Sequence, residues 1–67
     1  MTPAQLLELR IQGVITDREY DALLLNEKGL KPWTIAIALG ISRWAVRDRL
    51  KNGYRKIELH ERKDTAA

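Results

Sequence analysis

Apolar side chains recur at helical spacing near the start of the chain. Leu6 and Leu9 are three residues apart, and Leu7 and Ile11 are four apart, so each pair shares one side of a helix. The preceding Thr-Pro-x-Gln sequence is typical of a helix start. We therefore predict a helix within residues 1–13, which either covers the core or pairs with another chain.

A second amphipathic stretch begins with a capping box. In Thr16-Asp17-Arg18-Glu19 the threonine hydroxyl accepts a hydrogen bond from the backbone N–H of Glu19, whose carboxylate reaches back to the backbone of Thr16. The core positions that follow are Tyr20, Leu23 and Leu24. This pattern predicts a scaffold helix over residues 16–28, which Gly29 ends.

Two helices joined by a tight turn are predicted over residues 32–39 and 43–58. Their inward apolar positions are Ile35, Ala36, Leu39, Ala45, Val46 and Leu50. Gly40 permits the left-handed backbone that ends a helix, and Ser42 supplies a cap for the next one. A small side chain at position 36 leaves room for two helices to cross closely. The pattern predicts a helix-turn-helix.

Asn52-Gly53 interrupts the last helical pattern and allows two interpretations. The helix either ends there, or it continues and Gly53 permits the close approach of another helix. Leu50, Tyr54 and Ile57 keep helical spacing across the glycine, which favours continuation. Leu59 lies off that stripe and is a candidate for a dimer contact.

With 67 residues, the chain has room for one domain. We predict an all-α fold, a small bundle of four to five short helices with a helix-turn-helix motif. The domain covers residues 1–60, and residues 61–67 form a frayed polar tail. The apolar runs are too short to span a bilayer and no secretory signal opens the chain, so we expect a cytoplasmic protein without a membrane partner.

The order of residues in the helix-turn-helix resembles a known family. The DNA-binding segment of sigma-70 region 4 and of LuxR-type regulators is similar to Ile35-Ala36, Leu39-Gly40-Ile41-Ser42, Val46 and Leu50, with Lys56-Ile57 beyond. Ile15-Thr16-Asp17-Arg18-Glu19 resembles the opening of that domain, so the resemblance covers residues 15 to about 58. It implies a small transcriptional regulator that binds double-stranded DNA in a bacterial or phage-infected cell.

The charges are unevenly distributed along the chain. Residues 1–30 carry three Lys/Arg and five Asp/Glu, whereas residues 31–67 carry nine Lys/Arg and four Asp/Glu. The positive half contains the second helix of the motif, and a basic stripe on one element is typical of a phosphate-binding surface. A solvated charged helix has the same composition, but the coincidence with the motif favours DNA binding.

Helical geometry turns one side of the last helix away from the core, to the groove-facing positions of the resembled family. Base contacts are expected from Arg43, Trp44, Arg47 and Asp48. Arg47 is the best candidate for a bidentate contact to guanine, and Arg43 is the second. Trp44 meets a thymine methyl, lies against a sugar or packs over Trp33. Asp48 either orients a neighbouring arginine or accepts from cytosine.

Contacts to the DNA backbone are expected at two helix starts and along the last helix. The candidates are Lys31, Trp33, Thr34, Ser42, Lys51, Arg55 and Lys56. Backbone N–H groups at a helix start bind phosphate. Lys31 stands where the resembled families usually place Ser or Thr, so a side-chain cap is lost there. Ser42 is first a cap, Trp33 is equally a packing residue, and Arg49 is either a phosphate contact or a surface residue.

Trp33 and Ile37 lie one turn apart on the expected outer side of their helix. The resembled families often have charged residues at positions 37 and 38. Exposed apolar pairs of this kind are usually covered. We predict that the N-terminal helix, residues 3–12, or a partner chain covers the pair. RNA polymerase or a second regulator is the partner that the resemblance implies.

Residue sets typical of catalysis or of metal binding are missing from the sequence. The chain has no Cys and a single His, His60, so it offers neither a nucleophile–base set nor a metal cluster. We expect no enzyme activity, no catalytic residue, no metal and no cofactor. One alternative to DNA binding is a protein-interaction module that uses Trp33 and Ile37. A homodimer is also considered, because a DNA-binding monomer of this size covers few base pairs and tight specificity then requires a second copy.

Overall fold

Four helices make up the described part of the chain. A computed structural model describes the backbone of residues 1–66 and the side chains of residues 1–62. The helices are α1 (Pro3–Ile11), α2 (Asp17–Glu27), α3 (Pro32–Leu39) and α4 (Arg43–Ala66). The predicted all-α fold is confirmed. Within these residues, no helix combines the length and the apolar composition that crossing a membrane requires.

Capping boxes open the first two helices. The Thr2 hydroxyl accepts from the backbone N–H of Gln5 at 3.2 Å, and the Gln5 side chain accepts from the Thr2 backbone at 2.9 Å. Thr16 and Glu19 form the same pair of bonds at 3.1 and 2.9 Å. Each box satisfies two backbone donors that a helix start leaves free. At the start of α3, by contrast, Lys31 forms no side-chain cap.

The core consists of two apolar clusters that α4 joins. One cluster contains Leu6, Ile15, Leu23 and Ile57. The other contains Ile35, Ala36 and Val46. Leu50 packs against both clusters, and α4 packs against both α2 and α3. Because α4 contributes to each cluster, its orientation is fixed by the whole core.

The last helix does not break at Asn52-Gly53. Gly53 is buried, and a Cβ built on it would stand 2.8 Å from Cδ1 of Leu23. Carbon atoms in contact are normally about 3.5–4.0 Å apart, so this separation is too short for an added Cβ. Of the two interpretations, a continuous helix with a close helix approach at Gly53 is confirmed.

α4 also extends further than predicted. The sequence pattern placed its end at residue 58, but the helix continues through Ala66. Glu58 and Arg62, one turn apart, form an ion pair at 2.6 Å that supports this extension. The predicted helix end is therefore wrong, and the predicted tail is helical as far as Ala66. Residue 67, the end of that tail, lies outside the described residues.

α1 packs against α2 and does not cover the outer side of α3. It buries Leu6 in the core and leaves Leu7 and Ile11 exposed. Trp33 and Ile37 are 55% and 70% exposed. Of the two predicted covers for this pair, α1 is wrong, because the buried side of α1 packs into the cluster around Leu6. A partner chain stays a prediction.

Candidate nucleic-acid interface

The turn between α3 and α4 fixes how α4 is presented. Gly40 adopts the left-handed conformation, with φ 67° and ψ 36°. The N–H of Ile41 then donates to the carbonyl of Ala36 at 3.0 Å, and the Ser42 hydroxyl accepts from the N–H of Ala45 at 3.1 Å. One helix thus ends and the next begins within three residues. The predicted roles of Gly40 and Ser42 as caps are confirmed.

Close packing across the turn determines which side of α4 faces outward. Ala36 and Val46 are both buried in the cluster that joins α3 to α4. Since residues three and four apart share a side of a helix, turning Val46 and Leu50 inward leaves the side with Arg47 and Lys51 outside. Both of these cations are exposed.

All four predicted base-contact residues are exposed on the first two turns of α4. They are Arg43, Trp44, Arg47 and Asp48. Trp44 is 71% exposed, although tryptophan side chains are on average largely buried in folded proteins. Among the described residues, no carboxylate pairs with Arg43 or Arg47. These guanidinium groups therefore stay available to an external acceptor.

A cleft of about 450 Å³ lies where the start of α3 meets α4. Its lining residues are Pro32, Arg43, Trp44, Arg47 and Leu50. The cleft combines apolar carbon, an indole and two guanidinium groups. The edges of base pairs in the major groove present hydrogen-bond acceptors and, at thymine, a methyl group, so this lining is chemically compatible with the predicted base contacts.

Six of the seven predicted backbone-contact residues lie at helix starts or on the outer side of α4. Five of them are exposed, namely Lys31, Trp33, Ser42, Lys51 and Arg55, and Thr34 is half-buried. At about 100° per residue, Arg55 lies within about 80° of Arg47 around the helix axis. The structure thus brings Lys51 and Arg55 onto the side of α4 that carries the base-contact candidates.

Lys56, the seventh candidate, points to α2 instead. Its ammonium lies 2.9 Å from Oε1 of Glu19, whose side chain is only 8% exposed. Burial raises the pKa of Glu19, but the hydrogen bond from the Thr16 backbone and the charge of Lys56 outweigh it, and the pKa lies below its ordinary value. Lys56 neutralises a buried carboxylate. Local spacing could not reveal this pair, because 37 residues separate its members.

A second polar contact holds α4 against α2. Asn26 donates to the Tyr54 hydroxyl at 2.7 Å, and that hydroxyl donates to Glu27 at 2.9 Å. Burial raises the pKa of Tyr54; Asn26 opposes the rise and Glu27 adds to it. The sequence pattern identified Tyr54 as an apolar position and missed this role. A buried tyrosine hydroxyl usually has a partner, which was the available signal.

The fold and the exposed basic face define a helix-turn-helix DNA-binding protein. The GerE family model, described as bacterial regulatory proteins of the luxR family, matches residues 13–67. The chain belongs to this family, which consists of DNA-binding transcription regulators. The predicted resemblance to LuxR-type regulators is thereby confirmed. No curated protein and no solved structure matches the chain. α1 precedes the matched residues.

Proposed function

We propose that this protein is a sequence-specific regulator that inserts α4, from Arg43 onward, into the major groove of double-stranded DNA. The main support is the exposure of Arg43 and Arg47 on a helix that the Gly40 turn presents. Neither arginine has an ion-pair partner among the described residues. Because no carboxylate holds them, these side chains reach a base without first breaking a contact within the protein.

Base readout falls to the first two turns of α4. Arg47 donates two hydrogen bonds to O6 and N7 of a guanine, and Arg43 makes a similar contact nearby. The exposed indole of Trp44 meets a thymine methyl or the adjacent sugar. Asp48 accepts from the N4 amine of a cytosine. These roles distribute the readout over neighbouring base pairs.

Phosphate contacts position the protein on the duplex. The uncapped start of α3, with Lys31 and the backbone N–H of Trp33, offers a phosphate the place that a cap would take. Thr34 and Ser42 add hydroxyl donors at the two helix starts. Lys51 and Arg55 follow the phosphates along α4. Lys56 is left out of this set, since Glu19 holds its ammonium.

Selection of bound duplexes from a random pool tests the proposal first. With the selected site in hand, Arg47→Ala should weaken binding by about 1–3 kcal/mol and relax the preference at one base pair. Lys51→Ala should weaken binding to all sequences alike. Arg18→Ala removes the same charge from the exposed start of α2, where no predicted contact lies, and serves as the matched control. If the Arg47 and Lys51 variants bind as the Arg18 variant does, the groove assignment is wrong.

Salt dependence separates DNA reading from the alternative function. A reader with four or five phosphate contacts loses affinity with a log–log slope of about −4 against salt. The alternative is a module that contacts RNA polymerase or another regulator through Trp33 and Ile37, and their exposure favours it. Apolar contacts of that kind respond little to salt. Binding to duplex DNA with a slope near zero would contradict the proposed interface.

A further inference from the structure

Asp48 is an isolated carboxylate on the basic part of α4. From position 43 to position 57, the helix carries six Lys/Arg and one acidic residue, which is Asp48. At about 100° per residue, Asp48 lies within about 40° of Trp44 and about 60° of Lys51 around the helix axis. It is exposed, as both of those residues are. The carboxylate therefore lies on the outer side of α4, among the proposed DNA contacts.

The Asp48 carboxylate has no partner within the part of the chain whose side chains are described. Other carboxylates of the fold are paired: Glu19 lies 2.9 Å from the ammonium of Lys56. Glu58 likewise lies 2.6 Å from the guanidinium of Arg62. Neither an ion pair nor a hydrogen bond joins the Asp48 side chain to another described residue, although cations flank it on both sides in sequence. An exposed side chain without contacts adds little to stability, so the fold does not require a carboxylate here.

A fixed negative charge at this position opposes the binding of DNA in general. Two like charges about 8 Å apart in water lower an association constant by about twofold, and salt at physiological strength screens part of this repulsion. A few phosphates at that range together lower the constant by about threefold. Because every duplex carries the same phosphates, this repulsion acts on all sequences alike.

The base edges in the major groove decide whether that repulsion is offset. Cytosine N4 and adenine N6 are amine donors, from which a carboxylate accepts a hydrogen bond, whereas guanine and thymine present acceptors that repel it. Hydrogen bonds to a charged group are also stronger than those between neutral groups. Asp48 is therefore attracted to a base pair that holds an amine opposite it and is repelled where an acceptor takes that place.

We propose that Asp48 is a specificity-determining residue, which weakens binding to every duplex that lacks an amine donor opposite it. The inference rests on the proposed insertion of α4 into the major groove. It goes beyond the proposed cytosine contact, because a hydrogen bond alone strengthens the complex with the selected site. A discriminating charge also lowers the affinity for other sequences. Removing the charge should therefore strengthen non-specific binding.

Two variants of the intact protein, Asp48→Ala and Asp48→Asn, test the inference. Fluorescence anisotropy compares their binding to the selected duplex and to a scrambled duplex of equal length and composition. Both variants should bind the scrambled duplex about threefold more tightly, because both remove the charge. For Asp48→Ala, the ratio of the affinities for the selected and the scrambled duplex should fall by at least about tenfold, which corresponds to about 1.4 kcal/mol.

Asp21→Ala is the matched control for net charge. It removes the same charge from an exposed position of α2, where no predicted contact lies, and should leave the affinity ratio unchanged. Positions 21 and 48 are both exposed, so circular dichroism should show an unchanged fold for all three variants. Selection from a random pool with Asp48→Ala adds a separate readout: one base pair that the unmodified protein restricts should become unrestricted.

Two results would overturn the inference. If Asp48→Ala binds the scrambled duplex as the unmodified protein does, the carboxylate does not oppose non-specific binding. If the variant gains equally on both duplexes, Asp48 is a general charge and does not discriminate. Arg47→Ala separates these failures from that of the proposed function. Where Arg47→Ala weakens binding to the selected duplex and the Asp48 variants leave the ratio unchanged, only this inference fails; where neither position affects binding, the insertion of α4 fails with it.

Discussion

The close approach of α2 and α4 at Gly53 makes Gly53→Ala the most informative single substitution in the core. In a free helix, this change stabilises by about 1 kcal/mol, because alanine has the higher helix propensity. Here the added Cβ would lie 2.8 Å from Cδ1 and 3.2 Å from Cγ of Leu23. Leu23 is fully buried, so its side chain has little room to retreat.

Two opposing effects set the expected magnitude. Inserting a carbon into a packed core costs typically about 1–3 kcal/mol. Set against a propensity gain of about 1 kcal/mol, the net change is a destabilisation of up to about 2 kcal/mol. Gly53→Val adds two more carbons and gains less in propensity, so it should destabilise further. Asn52→Ala, at the exposed neighbouring position of α4, should stabilise slightly, since only propensity acts there.

Urea unfolding followed by circular dichroism measures all three variants. In a domain of this size, 1 kcal/mol corresponds to a shift in melting temperature of about 4–8 °C. Combining Gly53→Ala with Leu23→Val supplies a double-mutant cycle, in which the shorter side chain should relieve part of the cost of the alanine. If Gly53→Ala stabilised the protein as Asn52→Ala does, the two helices would not be in contact at this glycine.

Three further predictions concern the turn and the contacts between α2 and α4. Gly40→Ala should destabilise by about 1 kcal/mol in urea unfolding, although its Cβ meets open space, because the left-handed backbone is costly for alanine. Tyr54→Phe should cost about 1–2 kcal/mol by the same assay, since it removes the hydrogen bonds to Asn26 and Glu27. The pKa of Glu19 in the folded protein lies below the ordinary value of 4.5, so the ionised carboxylate stabilises the fold at pH values above 4.5. This stabilisation is lost as the pH falls through the folded pKa. Unfolding at neutral and acidic pH should therefore show a smaller loss on acidification for Glu19→Gln, and equal losses would contradict this linkage.

Local patterns predicted most of the fold because the signals that start and end these helices are local. The capping box at Thr16, the turn at Gly40 and the cap at Ser42 each depend on residues within a few positions of one another. The end of α4 was predicted too early, at residue 58, because the sequence beyond that residue contains no local signal that marks where a helix ends. The open choice at Gly53 was settled by Leu23, thirty residues earlier, which no local pattern includes.

The pairing of Lys56 with Glu19 also bears on the orientation of the candidate site. Arg47 and Lys56 are nine residues apart, which is about two and a half turns, so they lie on opposite sides of α4. α4 is continuous through Gly53, and a rigid helix transmits its angular position from one end to the other. Holding Lys56 against α2 therefore also holds Arg47 on the outer side of α4, opposite the Lys56–Glu19 contact. By this reasoning, the buried carboxylate of Glu19 helps to orient the proposed DNA-reading face without touching DNA.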